Sequence, residues 1–312
     1  MAAAVRATPS PAPAARFSTK TMQLRDGRTL AYLQAGDLSS PQKVLWAHGT
    51  PSSGLEAKDL DVFAKDAGVC VMAPDRPGFG DSTPCPQRTI LGWAKDVEEL
   101  LNHEKWDKCA VAGWSGGGAY AAACAYALPK RVTKLGLVAS VIPPDCPEFF
   151  SGIHVSERLQ FHLAMKYPAV SQGLARVMKT VGSWAPSLMG SVMDWMLGPS
   201  GGQSLGRGVQ EAVSAGLRDP ASVTHEYVLL GNSWGFNLEK ITCPMEIWYG
   251  DSDRLLDPGS WGPILQKKFG RGSDGVPRAC LNKMSGQGHL LSGSSHDEIF
   301  QWLKDRTQKK PQ

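Results

Sequence analysis

Three polar side chains, each set in a short glycine-flanked stretch, could together carry out acyl transfer. Ser115 lies in Gly113-Trp114-Ser115-Gly116-Gly117, directly after the apolar run Cys109-Ala110-Val111-Ala112. A helix-compatible, alanine-rich stretch (residues 119–127) follows. Strand, sharp glycine-flanked turn and helix are the context in which a G-x-S-x-G serine projects its Oγ above a sheet as a nucleophile. A serine hydroxyl needs a base to remove its proton, and the base needs a group to orient it. His289, in Ser285-Gly286-Gln287-Gly288-His289-Leu290, is the one histidine of seven that comes after both serine and acid in a glycine-rich loop behind a strand-like run. The acid is sought in Tyr249-Gly250-Asp251-Ser252-Asp253. Asp251, Asp253 and Asp257 compete; Asp253 is the preferred partner, Asp251 reads as a turn cap, and Asp257 precedes the next helix.

A fourth segment, Trp46-Ala47-His48-Gly49-Thr50-Pro51, closes another strand-like run. Its loop can aim the Thr50 N–H at a developing oxyanion, with the Gly116 N–H as the second donor. Two such donors in a dry site stabilise a tetrahedral transition state by several kcal/mol. His48 and Trp114 flank these donors and are candidate substrate contacts.

These loops require strands to end beside one another. Strand-like runs at residues 44–47, 69–73, 109–112 and 135–139 alternate with helical patterns, the clearest at 90–101. An Asp26-Gly27 turn between apolar segments predicts an opening hairpin. Such alternation implies βαβ units and a mostly parallel, twisted sheet wrapped by helices on both faces, with its site at the C-terminal ends of the strands. From Pro143 the rhythm changes. Residues 143–240 read as a helical insertion rich in Trp and Met, with Trp184 and Trp195 as candidate contacts for an apolar substrate. Alternation resumes with strands at 245–249 and 279–283 and helices near 264–269 and 296–304. The division expected is a core of 19–142 and 241–306, a lid of 143–240 and a charged, frayed tail from 307 to 312.

With 312 residues, 42% of them hydrophobic, the chain can bury a large core. Its net charge of +4 is scattered, which argues against nucleic acid as a partner. No apolar run approaches the ~20 residues of a membrane span. Seven cysteines without C-x-x-C spacing read as reduced thiols, in keeping with an intracellular chain and no metal site. Residues 1–18 carry Arg6 and Arg16 but no acid before Asp26, so an organellar transit peptide and a disordered tail are both open readings.

With these motifs in order, and with Ala73-Pro74-Asp75-Arg76-Pro77-Gly78-Phe79-Gly80-Asp81-Ser82 between them, residues 22–303 resemble the α/β-hydrolases, in particular small lidded esterases and proline-iminopeptidase-like enzymes. The chain order Ser115, Asp253, His289 is that of this fold. The resemblance implies an acyl-serine mechanism without a cofactor, a small ester or acyl substrate, and a loop-bridging role for Arg76. Dehalogenases and epoxide hydrolases of this scaffold place aspartate where Ser115 stands. Proline iminopeptidases usually carry two glycines in the oxyanion loop, where this chain has only Gly49 before Thr50. An acyltransferase or peptidase with the same triad, or a ligand receptor on the scaffold, are the alternative readings.

Overall fold

Apolar runs too short for helices and bounded by turns become strands here. The computed structural model describes residues 17–304 apart from 199–205, 258, 260, 272–274, 276 and 292. Of the transit-peptide or tail segment 1–18, residues 1–16 lie outside the described residues, as does the tail from 307 to 312. The strands are β1 (Lys20–Gln23), β2 (Thr29–Gly36), β3 (Lys43–Ala47), β4 (Cys70–Pro74), β5 (Cys109–Trp114), β6 (Val132–Val138), β7 (Met245–Gly250) and β8 (Ala279–Met284). They form one sheet in the order β1-β2-β4-β3-β5-β6-β7-β8. β1 pairs antiparallel with β2, and β2 antiparallel with β4; every later pairing is parallel. The hairpin turns at Gly27, whose φ of 87° suits a residue without Cβ.

Every residue of β4 and β5 is buried, as expected for strands covered on both faces. The covering helices are α1 (Ala57–Ala67), α2 (Trp93–His103), α3 (Gly117–Ala127), α9 (Trp261–Lys268) and α10 (Gly293–Leu303). α1 packs with α10, and α2 with α3. This is the α/β-hydrolase fold. Between β6 and β7 the chain forms α4 (Val155–Lys166), α5 (Pro168–Trp184), α6 (Pro186–Leu197), α7 (Arg207–Gly216) and α8 (Pro220–Leu230), with no strand among the described residues. None of the described helices is long and apolar enough to cross a membrane. All seven cysteines are unpaired, four of them buried.

Strand register fixes the site. Ala47 at the end of β3 is level with Gly113 of β5, and Gly250 at the end of β7 is level with Met284 of β8. The loops carrying Thr50 and Ser115 are therefore neighbours, as are those carrying Asp253 and His289.

Candidate active site

Ser115 occupies the turn from β5 into α3 with φ of 55°, a left-handed conformation that costs a non-glycine residue on the order of 1 kcal/mol. Backbone bonds hold it there: its N–H donates to the Val138 carbonyl at 2.9 Å, and its carbonyl accepts from Gly118 at 3.1 Å and Val141 at 3.2 Å. The turn works only with small neighbours. A Cβ on Gly117 would sit 2.1 Å from the Ala47 carbonyl oxygen, a contact no side chain tolerates. Gly116, just before the first turn of α3, lies so close to the β3 loop that a Cβ there would be 2.5 Å from Thr50 Oγ1. Helix N-termini leave their first N–H groups without intrahelical partners and carry positive partial charge. Thr50 and Gly116 thus flank one small volume at the positive end of α3.

His289 comes from the loop after β8. Its Nδ1 is 2.8 Å from Asp253 Oδ2, and the two side chains are only 2% and 3% exposed. The other carboxylate oxygen, Oδ1, accepts the N–H groups of Leu255 at 2.8 Å and Leu256 at 3.0 Å, which fixes its orientation. The three competing aspartates separate by geometry. Asp251 accepts the Gly286 N–H at 2.7 Å and braces the His289 loop, whereas Asp257 accepts from Gly259 at 3.0 Å next to α9. The His289 backbone is anchored twice more. Its carbonyl accepts from Trp114 Nε1 at 3.0 Å, and its N–H donates to the carbonyl of Leu197, the last residue of α6, at 2.7 Å.

Ser115, His289, Thr50 and Gly116 open into one cavity of about 300 Å³. Its walls are mostly apolar and come from the helical insertion, including Phe161, Met178, Met193 and Leu230. Trp114 lines it. Trp184 and Trp195 do not: they are 87% and 63% exposed. Successive helix residues are rotated by ~100°, so with Met178 and Met193 facing the cavity, Trp184 and Trp195 are carried well off that face. Composition disclosed the helices' apolar character but not which face was inward. His48 is also absent from the cavity wall. It is fully buried, with Nδ1 2.9 Å from the Gly49 carbonyl and Nε2 accepting the Arg76 N–H at 3.1 Å. Burial, reinforced by the Arg76 charge, drives its pKa well below the ordinary histidine value. His48 is a neutral strut of the loop.

Sequence reasoning missed the network that holds Thr50. Arg76 donates from Nη1 to the His48 carbonyl and from Nη2 to the Gly49 carbonyl at 2.8 Å and Thr50 Oγ1 at 3.0 Å. Its Nε lies 2.9 Å from Oε1 of Glu226 on α8, and Thr50 Oγ1 is 3.3 Å from the same oxygen. Oε2 of Glu226 accepts from Arg88 and, at 2.8 Å, from the Tyr120 hydroxyl. Burial alone would raise the Glu226 pKa, but Arg76 and Arg88 hold it below the ordinary value. Arg76 bridges loops as the resemblance implied; its partner from α8 carries no readable sequence signal.

A second buried acid supports the same loop. Glu56 accepts the Gly49 N–H and the Trp46 indole N–H, both at 2.9 Å, yet burial pushes its pKa up to about 7. Asp75, buried against Gly54 and Asp81, is likewise pushed up to about 6. The folded chain therefore holds protons between about pH 4.5 and 7 that the unfolded chain has released. These two acids by themselves make stability fall as pH rises through this window, whereas the buried neutral His48 acts in the opposite sense up to the ordinary histidine pKa. The Glu56 contribution is therefore read as the difference in slope between wild type and Glu56→Gln. Urea midpoints measured from pH 4.5 to 8 check this. Glu56→Gln is expected to lower the baseline and make the slope less negative, and an unchanged slope would count against the assignment.

Among the described residues no cluster of His, Cys, Asp and Glu gathers as metal ligands would. Comparison with known proteins gives three kinds of match. Residues 122 in number align at 34% identity with a soluble epoxide hydrolase of Corynebacterium sp. (strain C12), covering 38% of this chain and 40% of that protein's length. In structure, a thermophilic esterase from Thermogutta terrifontis superposes with a TM-score of 0.60 at 20% identity, over 92% of this chain and 96% of that one. A bromoperoxidase from Bacillus anthracis gives a TM-score of 0.66 at 18% identity, over 91% and 97%. These two likenesses speak for the fold. The model of the alpha/beta hydrolase family matches residues 44–302, and the chain belongs to that family.

Proposed function

We propose that the protein is a serine hydrolase of carboxylic esters that works through an acyl-serine intermediate. The observation carrying this reading is the 2.8 Å bond between the enclosed Asp253 and His289, in a cavity shared with a serine held at φ of 55°. In this mechanism His289 Nε2 takes the Ser115 proton as Oγ attacks the ester carbonyl, and Asp253 fixes the tautomer and stabilises the imidazolium. The Thr50 and Gly116 amides receive the oxyanion. His289 then protonates the departing alkoxide. Water, deprotonated by the same histidine, attacks the acyl-serine and releases the acid.

The partial relative named an epoxide hydrolase does not favour epoxide opening here. Attack of a serine alkoxide on an epoxide would give an ether, which has no carbonyl for water to attack, and the enzyme would stop after one event. An aspartate gives an ester that turns over. Ser115 therefore suits substrates that already contain the carbonyl.

Helices α4–α8, within residues 143–240, act in this reading as a lid whose apolar inner wall receives the acyl chain. Brief exposure to a 4-nitrophenyl ester is expected to leave the acyl mass on the peptide containing Ser115, with 4-nitrophenol released in large excess over protein. A label elsewhere, or no release, would overturn the reading.

A further inference from the structure

The cavity wall is mostly apolar, and some of its polar side chains lie outside the machinery described so far. Glu157 and Gln160, three residues apart and so on one face of α4, both line it. Neither has a part in the ester mechanism. One oxygen of Glu157 (Oε2) accepts the hydroxyl of Tyr227, on α8, at 3.1 Å. Among the described residues no lysine or arginine pairs with Glu157, and no donor meets its other oxygen. Gln160 is 8% exposed; its Nε2 donates to Ser171 Oγ at 3.1 Å, while its Oε1 is buried without a partner. Burial pushes the Glu157 pKa up, against the pull of the Tyr227 hydroxyl and of His289 nearby. Glu157, with one oxygen lacking a donor, and Gln160 thus border the space where the proposed reading places the acyl chain.

An acceptor cut off from water without a donor is uncommon in folded proteins, because it forfeits its hydrogen bonds. A wholly apolar acyl chain filling this cavity would strip whatever water serves the half-buried Glu157 and give nothing back. A chain with its own donor would satisfy it. We propose that Glu157, assisted by Gln160, is a substrate-recognition subsite for a hydrogen-bond-donating group, hydroxyl or amine, carried on the acyl portion of the substrate. The inference rests on the ester-hydrolase reading for the word acyl. The subsite itself stands on the side chains alone. The preferred substrates are hydroxyacyl or aminoacyl esters in place of plain fatty esters.

The test uses 4-nitrophenyl butanoate, hexanoate and octanoate, each plain, ω-hydroxylated and ω-aminated. The substituted ester of the best-fitting length is expected to exceed its plain counterpart in kcat/KM by about 10- to 100-fold, the range set by one buried bond to a charged or polar partner. Preference for the amine over the hydroxyl would identify an ionised Glu157; the reverse, a neutral one. Glu157→Gln and Glu157→Leu are expected to bring the ratio of substituted to plain ester close to one or below it. A strut between α4 and α8 would instead lower the melting temperature of both variants and leave that ratio where it was. Binding of the corresponding N-methyl amides to the Ser115→Ala protein, measured by calorimetry, reads the subsite without any turnover. If donor-bearing amides bind tighter and Glu157→Leu erases the difference, the subsite holds even where no ester is cleaved. If esters turn over but no length or substituent is preferred, the hydrolase reading survives and the subsite falls.

Discussion

The Ser115→Ala protein is expected to hydrolyse 4-nitrophenyl esters on the order of 10⁴- to 10⁶-fold more slowly than the wild type, with its fold unchanged. The loss is large because serine, histidine and aspartate act as one unit, so removing the nucleophile forfeits what the others contribute. What remains comes from binding and from the two amides. The fold should survive because alanine fits the same turn: the bonds that hold residue 115 at φ of 55° run through its backbone to Val138, Gly118 and Val141. Initial rates at saturating ester, with thermal melts of both proteins, check the two halves together. Undiminished turnover would remove Ser115 from the mechanism. A lost fold would mean that the hydroxyl is structural.

Glu226→Ala is expected to cost about 3–5 kcal/mol of stability, the loss seen when one member of a buried charge cluster is removed. Glu226 is wholly buried, and its carboxylate is the counter-charge for both Arg76 and Arg88. Alanine would leave two guanidinium groups in an apolar interior. Because Arg76 also fixes the His48 and Gly49 carbonyls and Thr50 Oγ1, the surviving folded fraction should show reduced kcat with KM much less affected. Glu226→Gln keeps shape and one acceptor and should fall between. Chemical denaturation of the three proteins, with kinetics at a temperature where each is folded, measures both effects. Equal stabilities would show that the arginines find other partners.

Ser115 and His289 were legible in the sequence because each sits in a glycine-rich turn directly after a strand, where local chain geometry dictates what the side chain can do. Asp253 was the preferred of three candidates in the sequence, and its 2.8 Å distance to His289 now sets it apart from Asp251 and Asp257. Strand centres were also close: the run at 109–112 lies within Cys109–Trp114, and that at 245–249 within Met245–Gly250. Helix starts were less so. α2 begins at Trp93 and not at 90, and α10 at Gly293 and not at 296, since turns and caps, more than apolar periodicity, decide where a helix begins. Glu226, Arg88 and Glu157 were not legible at all. Arg88 and Glu226 are 138 positions apart in sequence and meet only because α8 folds back over the loops. For the same reason Trp184 and Trp195 misled: a tryptophan in a helix advertises burial, but only packing decides which side is inside.

The 2.7 Å bond from the His289 N–H to the Leu197 carbonyl joins the general base of the proposed mechanism to the end of α6. A motion that carries α6 outward to admit a substrate must break it and pull on the backbone that aims the imidazole. If the proposed lid opens at α6, the door and the trigger share a hinge pin: an open enzyme would be a disarmed one, and closing over the substrate would cock it.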